Sequence, residues 1–372
     1  MKSKKSTKVE SAKSKVESVS LGSVASFDRT AAILKERNGL AYISLEDIDS
    51  TNGSIRIVER ADPKSTKFAF SPEHVLYGKL RPNLRKVARP DFSGICSTDI
   101  IPIRPSKRLD RDYLFHFLRI PAVTRLATQF AVGINLPRRS PKQLSTFDLP
   151  LPTFKAQRRI AEVLDRADAL RAKRRAALAQ LDELTQSLVL HMFGDPVTNP
   201  KKLRKVSLGE LIKLKSGEFL PASGMAEAGP YPVFGGNGMN GYHDQFMFET
   251  PQVIIGRVGV YCGCVHVSPP RSWVTDNALY VNERGPDVDV EYLAHSLRFA
   301  RLNQYASQSG QPLVSGTRIY PVQILVPSLP LQREFAQRMQ AVEQLKMGHL
   351  ASLSELDTLF ASLQHRAFRG EL

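Results

Sequence analysis

Cysteine is scarce in this 372-residue chain, which holds only Cys96, Cys262 and Cys264. Three scattered thiols imply no disulfide framework, and a reducing, cytoplasmic compartment suits them. No apolar run approaches the roughly 20 residues that span a bilayer, so no membrane is expected as a partner. Residues 1–18 carry six Lys and two Glu and hardly anything apolar. Lacking an apolar stretch and a cleavage site, they are no signal peptide and read as a flexible basic tail. A Walker A sequence is missing as well, which leaves ATP hydrolysis without its phosphate cradle. Acidic residues are outnumbered, 36 against 52 Lys and Arg, for a formal net charge of +16. That excess favours a polyanion. With 42% hydrophobic and 8% aromatic residues the chain can bury ordinary cores, and wholesale disorder is excluded. Its length points to two or more domains.

What is present is a sequence that repeats itself once. Val19-Ser20-Leu21-Gly22 returns as Val206-Ser207-Leu208-Gly209, and Val75-x-x-Gly78-Lys79-Leu80 as Val253-x-x-Gly256-Arg257-Val258. Thr98-Asp99 returns as Thr275-Asp276, YLFHFLR at 113–119 as YLAHSLR at 292–298, and Pro152-x4-Gln157-Arg158 as Pro327-x4-Gln332-Arg333. Five matches in one order make a tandem duplication, each copy a mixed segment followed by a helix. The mixed segments are α+β: short β-rich runs such as 100–103 and 253–255 lie between turn signals. Residues 113–119 and 292–298 have helical spacing, with His116 and His295 at equivalent, structural places. The expected domains are the tail 1–18, a first globular segment 19–152, a helical spacer 153–197, a second globular segment 198–327 and a second spacer 328–372.

Residues 155–192 contain neither Pro nor Gly. Ile160, Val163, Ala167, Leu170, Ala177, Leu181, Leu184 and Leu188 alternate steps of three and four, a heptad seam with one gap at Arg174. The second copy maps this seam to Phe335, Arg338, Val342, Leu345, Ser352, Leu356, Leu359 and Leu363, with the gap at His349. A helix of about 35 residues is on the order of 52 Å long, and its leucine strip needs a partner. The simplest partner is the other copy's helix, packed antiparallel. A pseudo-twofold axis then relates two globular domains separated by the two long helices. Arg174 and His349 either meet near that axis as a polar layer setting register or are solvated lapses in the heptads.

Catalytic readings fail on context. Phe234-x-Gly236-x-Gly238 and Ser268-Pro269-Pro270 approximate the two loops of an S-adenosylmethionine-dependent DNA adenine methyltransferase. A nucleotide-binding glycine loop must follow a buried strand and open a helix, yet Pro232 interrupts the lead-in and Met239-Asn240-Gly241 prolongs the turn. Arg271 stands where the second motif needs an aromatic. The glycine-rich stretch is either a surface turn or a DNA-facing loop that admits close approach. Cys262-x-Cys264-x-His266 lacks the usual spacing of a structural zinc site, and its cysteines read as buried small residues.

The chain resembles the specificity subunit of a type I restriction–modification system over nearly all its length. The resemblance is carried by Leu149-Pro150-Leu151-Pro152 with Gln157-Arg158-Arg159-Ile160-Ala161 and the long helix, by VSLGSVAS at 19–26, by GKLRPN at 78–83 and by GICSTD at 94–99. The second half adds YPVFGGNGMNGY at 231–242, Thr275-Asp276-Asn277-Ala278 and the closing stretch 363–372. The Lys-rich first 18 residues depart from the pattern. The resemblance implies a subunit without catalysis or cofactor of its own, its two globular segments acting as target-recognition domains on the halves of a split target in double-stranded DNA. It implies that the helices set the spacer and bind two modification (methyltransferase) subunits, which hold S-adenosylmethionine, and that restriction (translocase–nuclease) subunits complete the endonuclease.

For DNA contacts the expected residues are Lys79, Arg81, Arg85, Arg138 and Arg139 in the first half, where Pro82-Asn83 and two flanking prolines stiffen basic loops. In the second half they are Asn237, Asn240, Arg257, Gln311 and Arg318, since Asn and Gln suit adenine and Arg suits guanine. Helix–helix and partner contacts are expected at Ile160, Leu170, Arg174, Leu181, Leu188, Leu345, His349, Leu356 and Leu363. The rival reading is a non-catalytic coiled-coil adaptor that binds proteins, its charge serving solubility alone.

Overall fold

The computed structural model describes residues 16–32, 39–58, 65–129, 140–195, 198–307 and 310–372. The chain splits into two units, one made of Met1–Ala177 with His349–Leu372, the other of Leu178–Gly348. Both are α+β.

In the first unit an antiparallel sheet runs in the order Ala25–Phe27, Ile100–Pro105, Val75–Gly78, Val87–Ala88. Alternation is lost in its central strands because both faces are covered: Val75, Leu76, Ile101 and Ile103 are all buried. A three-stranded sheet sets Ala41–Ile43 parallel and Lys67–Phe70 antiparallel to Gly94–Ser97. Helix Arg111–Leu118 closes the core. Asp110 caps it by accepting from the Asp112 and Tyr113 N–H groups, a gain of about 1 kcal/mol, and the Tyr113 hydroxyl donates to the Pro150 carbonyl at 2.8 Å.

The second unit repeats the plan. Its four-stranded sheet runs Ile212–Ser216, Ala278–Arg284, Val253–Gly256, Val265–Val267, and Asp289 caps helix Val290–Phe299. The Tyr292 hydroxyl donates to the Leu325 carbonyl at 2.7 Å. Its second sheet differs by one strand. Tyr231–Gly235 lies parallel to Trp273–Val274, as Ala41–Ile43 does to Gly94–Ser97, and gains Gly238–His243 on its free edge. The glycine-rich stretch is therefore a β-hairpin and opens no helix.

Two long helices, Phe154–Phe193 and Leu329–Ala367, follow the repeated Pro-x4-Gln motif. Gln157 is fully buried: its amide donates to the Arg108 and Pro152 carbonyls at 3.0 and 2.9 Å and its oxygen accepts from the Asp110 N–H at 2.7 Å. Gln332 does the same with Asp287, Pro327 and Asp289 at 2.9, 2.8 and 2.8 Å. Each glutamine thus rivets a long helix to the capping residue of the short one.

Within each unit the helices run antiparallel. In the first, Arg171 Nε meets Asp357 at 2.5 Å and Arg174 Nη1 lies 3.0 Å from His349 Nδ1. In the second, Lys346 Nζ meets Asp182 at 2.8 Å, and Phe193 stacks edge-on to Phe335 at 5.0 Å. The contact stripe corrects the expected heptads at alternate positions. Ile160 and Ala167 are buried, while Leu181, Leu188, Leu356 and Leu363 are half-buried on it. Leu170, Leu184, Leu345 and Leu359 point outward at 51%, 43%, 56% and 49% exposure. Their places are taken one residue later by Arg171, Thr185, Lys346 and Phe360, in step with the fully buried Leu164 and Met339. The reason is that Arg171 and Lys346 lay their aliphatic stems along the seam and find carboxylates there: Asp168 and Asp357 for the arginine, Asp182 and Glu343 for the lysine.

Candidate nucleic-acid interface

Strand Val75–Gly78 leads into a tight knuckle, Pro82–Leu84 in 3-10 conformation, before returning as Val87–Ala88. The Gly78 N–H donates to the Lys86 carbonyl at 2.7 Å and the Lys79 N–H to the Asp99 carbonyl at 2.9 Å, which fix both sides of the turn. Arg81 and Arg85 bracket it in left-handed backbone, with φ of +50° and +49°. Both are exposed, as is Asn83, while Lys79 is half-buried. Three of the five cationic residues expected in the first unit thus share one turn. Arg138 and Arg139 lie outside the described residues.

In the second unit the Gly235–Gly238 turn and the loop after Val253–Gly256 meet over Asn277. The Asn277 side-chain oxygen accepts from the Gly236 N–H at 3.2 Å and from the Thr275 hydroxyl at 2.7 Å, and its carbonyl accepts from the Arg257 N–H at 3.0 Å. Arg257 also donates to the Ser216 hydroxyl at 3.1 Å. A side chain at Gly235 would collide with the Asn240 amide at 2.4 Å, and one at Gly256 with the Tyr261 carbonyl at 2.1 Å. At Gly256 the clash is with backbone, so glycine is required there for the approach, whereas at Gly235 the Asn240 side chain would have to move. Gln311 reaches the same rim, its amide 3.4 Å from where a Gly259 Cβ would sit. The structure therefore brings Asn240, Arg257 and Gln311 together, with exposed Asn237 at the hairpin tip. Arg318 is exposed on helix Gly316–Ile319, and no hydrogen bond among the described residues joins its side chain to this rim.

Thr275 and Asn277, read from the sequence only as part of a repeated motif, also belong to the rim, as do Val260 and Tyr261, which the sequence reading did not single out. The expected Thr-Asp repeat slips by one position, since Asn277 rather than Asp276 repeats the backbone role of Asp99. Cys262 is buried, but Cys264 is exposed and not the buried small residue expected of it.

Behind the knuckles the two units differ in charge. In the first, Arg89 grips Asp165 with both guanidinium nitrogens at 3.0 and 2.6 Å, and His116 Nε2 lies 2.8 Å from the same carboxylate. Burial pushes the Asp165 carboxyl up, but the hydrogen bonds from His116 and Arg89 outweigh it and hold the group at about 2. In the second unit Gln340 occupies the equivalent helix position, and Glu291, His295, Arg298, Ala336, Gln340 and Glu343 line an open cavity of about 420 Å³. Burial, reinforced by Arg298 and Lys346, pushes the His295 imidazole down to about 4.

Fold and rim together define a duplicated scaffold that presents one polar turn in each unit. Residues 13–180 and 200–355 match the family described as the type I restriction modification DNA specificity domain, and the chain belongs to that family. Membership gives the chain two DNA specificity domains and lends the adaptor reading no support. Among curated relatives it is 30% identical over 196 residues to the type I restriction enzyme EcoprrI specificity subunit of Escherichia coli, covering 50% of this chain and 48% of that one. It is 31% identical over 138 residues to the EcoDI specificity subunit of Escherichia coli, covering 36% and 31%. The chain thus spans about half or less of the length of these two relatives. Its fold matches the crystal structure of a type I restriction–modification S subunit from M. genitalium with a TM-score of 0.67 at 15% identity, covering 97% of this chain and 98% of that one. A second likeness, to a structure titled for complex assembly and conformational transition of the type I system, has a TM-score of 0.55 at 22% identity, covering 96% and 99%. No helix among the described residues is long and apolar enough to cross a membrane.

Proposed function

We propose that the chain is the DNA-reading subunit of a cytoplasmic type I restriction–modification complex, each unit taking one half of a bipartite duplex target. The recognition domains are 19–152 and 198–327, with 153–197 and 328–372 as helical spacers. Lys79, Arg81, Arg85, Arg138 and Arg139 serve one half-site, and Asn237, Asn240, Arg257, Gln311 and Arg318 the other. The observation that carries the reading is the recurrence of one basic or amide-rimmed turn in both units of a chain matched twice by a DNA specificity domain. The +16 charge supports salt-dependent phosphate affinity, with base-edge contacts supplying choice.

The outward leucines Leu170, Leu184, Leu345 and Leu359 support docking of two modification subunits along the helices, since apolar side chains at 43–56% exposure gain from being covered. S-adenosylmethionine is then held by those subunits, and a restriction subunit completes the nuclease. Co-expression with the adenine-methylating subunit of its host's type I system, followed by genome-wide mapping of methylated adenine, tests the proposal. A single split motif is expected; methylation without sequence preference would overturn it.

A further inference from the structure

The two knuckles are the same device. With a constant separation of 178 positions, the Gly78 N–H to Lys86 carbonyl bond recurs as Gly256 to Cys264 at 2.8 Å, and the Lys79 to Asp99 bond as Arg257 to Asn277 at 3.0 Å. The Leu84 N–H to Arg81 carbonyl bond at 2.9 Å recurs as Cys262 to Gly259 at 3.0 Å. The left-handed positions correspond as well: Arg81 to Gly259 at +73° and Arg85 to Gly263 at +82°. One copy places glycine where such backbone is free of strain; the other places two arginines, whose Cβ atoms make it costly. No hydrogen bond or ion pair among the described residues engages either guanidinium. The strain is thus not recovered inside the described chain.

The second knuckle presents different chemistry. Its tip is Val260 at 91% exposure and Tyr261 at 51%, held rigidly by the Gly259 N–H to Pro312 carbonyl bond at 3.0 Å and the Gly263 N–H to Gly256 carbonyl bond at 2.8 Å. A valine held almost wholly in water on a stiff turn is a poor choice for stability and a suitable one for touching a methyl group.

We propose that the two knuckles are homologous reading tips with unlike chemistry: Arg81 and Arg85 engage guanine in one half-site, and Val260 meets a thymine methyl in the other. The inference rests on the DNA-specificity reading above and assigns base classes within it. Guanine offers O6 and N7 to a guanidinium fork, and only thymine offers a methyl in the major groove. The backbone strain at Arg81 and Arg85 is retained for side chains that glycine cannot supply.

The test uses the assembled methylating complex. Arg81→Gly and Arg85→Gly are expected to raise the melting temperature by about 2–4 °C while slowing methylation of the cognate duplex about 10- to 100-fold. Scanning 7-deazaguanine through one half-site is expected to find a position that slows the wild-type complex and leaves the Arg→Gly variants unaffected. Deoxyuridine scanned through the other half-site should do the same for wild type against Val260→Ala. Arginine variants that melt higher with methylation unchanged overturn the proposal, as do variants that melt lower, which would make the arginines structural. A Val260→Ala complex with the wild-type deoxyuridine profile overturns the valine assignment. A wild-type complex that methylates no defined sequence defeats the DNA-specificity reading itself and is told apart by that control.

Discussion

Arg174 Nη1 lies 3.0 Å from His349 Nδ1, the gap of one expected heptad seam facing the gap of the other in the first unit. The arginine donates and the imidazole nitrogen accepts. Polar pairs at such seams fix register and sacrifice stability. Replacing both by leucine is expected to raise the melting temperature by a few degrees. It is also expected to lower the yield of the disulfide formed when Arg171 and Asp357 are changed to cysteine, because slipped registers become accessible. An unchanged crosslinking yield refutes the register role.

Gln157 and Gln332 each satisfy one N–H and two carbonyls from a site without solvent. Gln157→Leu leaves those groups unpaired and is expected to cost about 3 kcal/mol. Urea denaturation measures it, and a loss below about 1 kcal/mol contradicts the rivet.

Acid is expected to weaken the second unit first. The folded His295 stays neutral down to about 4, whereas an unfolded histidine takes its proton near 6.5. Stability is therefore full above about pH 6.5 and falls as the pH drops towards 4, by on the order of 3 kcal/mol. Asp165, held at about 2, keeps its contribution above about pH 4 and loses it as the pH falls towards 2. Trp273 is the sole tryptophan and belongs to the second unit. Its fluorescence should change at higher pH than the circular dichroism of the whole chain, and His295→Gln should remove that early transition.

Lys79→Ala and the double change Arg138→Ala, Arg139→Ala are expected to weaken binding of the assembled complex to cognate duplex. The logarithmic salt slope should fall by about one for each phosphate that is no longer neutralised. Unchanged affinity and slope at moderate salt would remove these residues from the interface.

The duplication was legible because it rests on short identical strings, and the structure explains them. The repeated glutamine is the rivet, and the repeated Gly78 and Gly256 are turns that admit no side chain. The helix seam was half legible. Apolar residues at both 163 and 164, and at both 177 and 178, satisfy either alternation of three and four. Only the carboxylates waiting for Arg171 and Lys346 on the opposite helix decide which one is used, and Asp357 and Asp182 lie far away along the chain. Val260 was illegible for another reason: an apolar residue beside Tyr261 looks like core, and only the fold leaves it exposed.

The first unit takes its last pieces from residues 349–372. Ala367 is buried in its core and the Phe368 ring stands 4.9 Å from that of Tyr113. A ribosome that has finished the N-terminal half has therefore released a domain with an open seam. That seam stays unsealed until residues 349–372 have been made, so a chain cut short before them damages the unit that was made first.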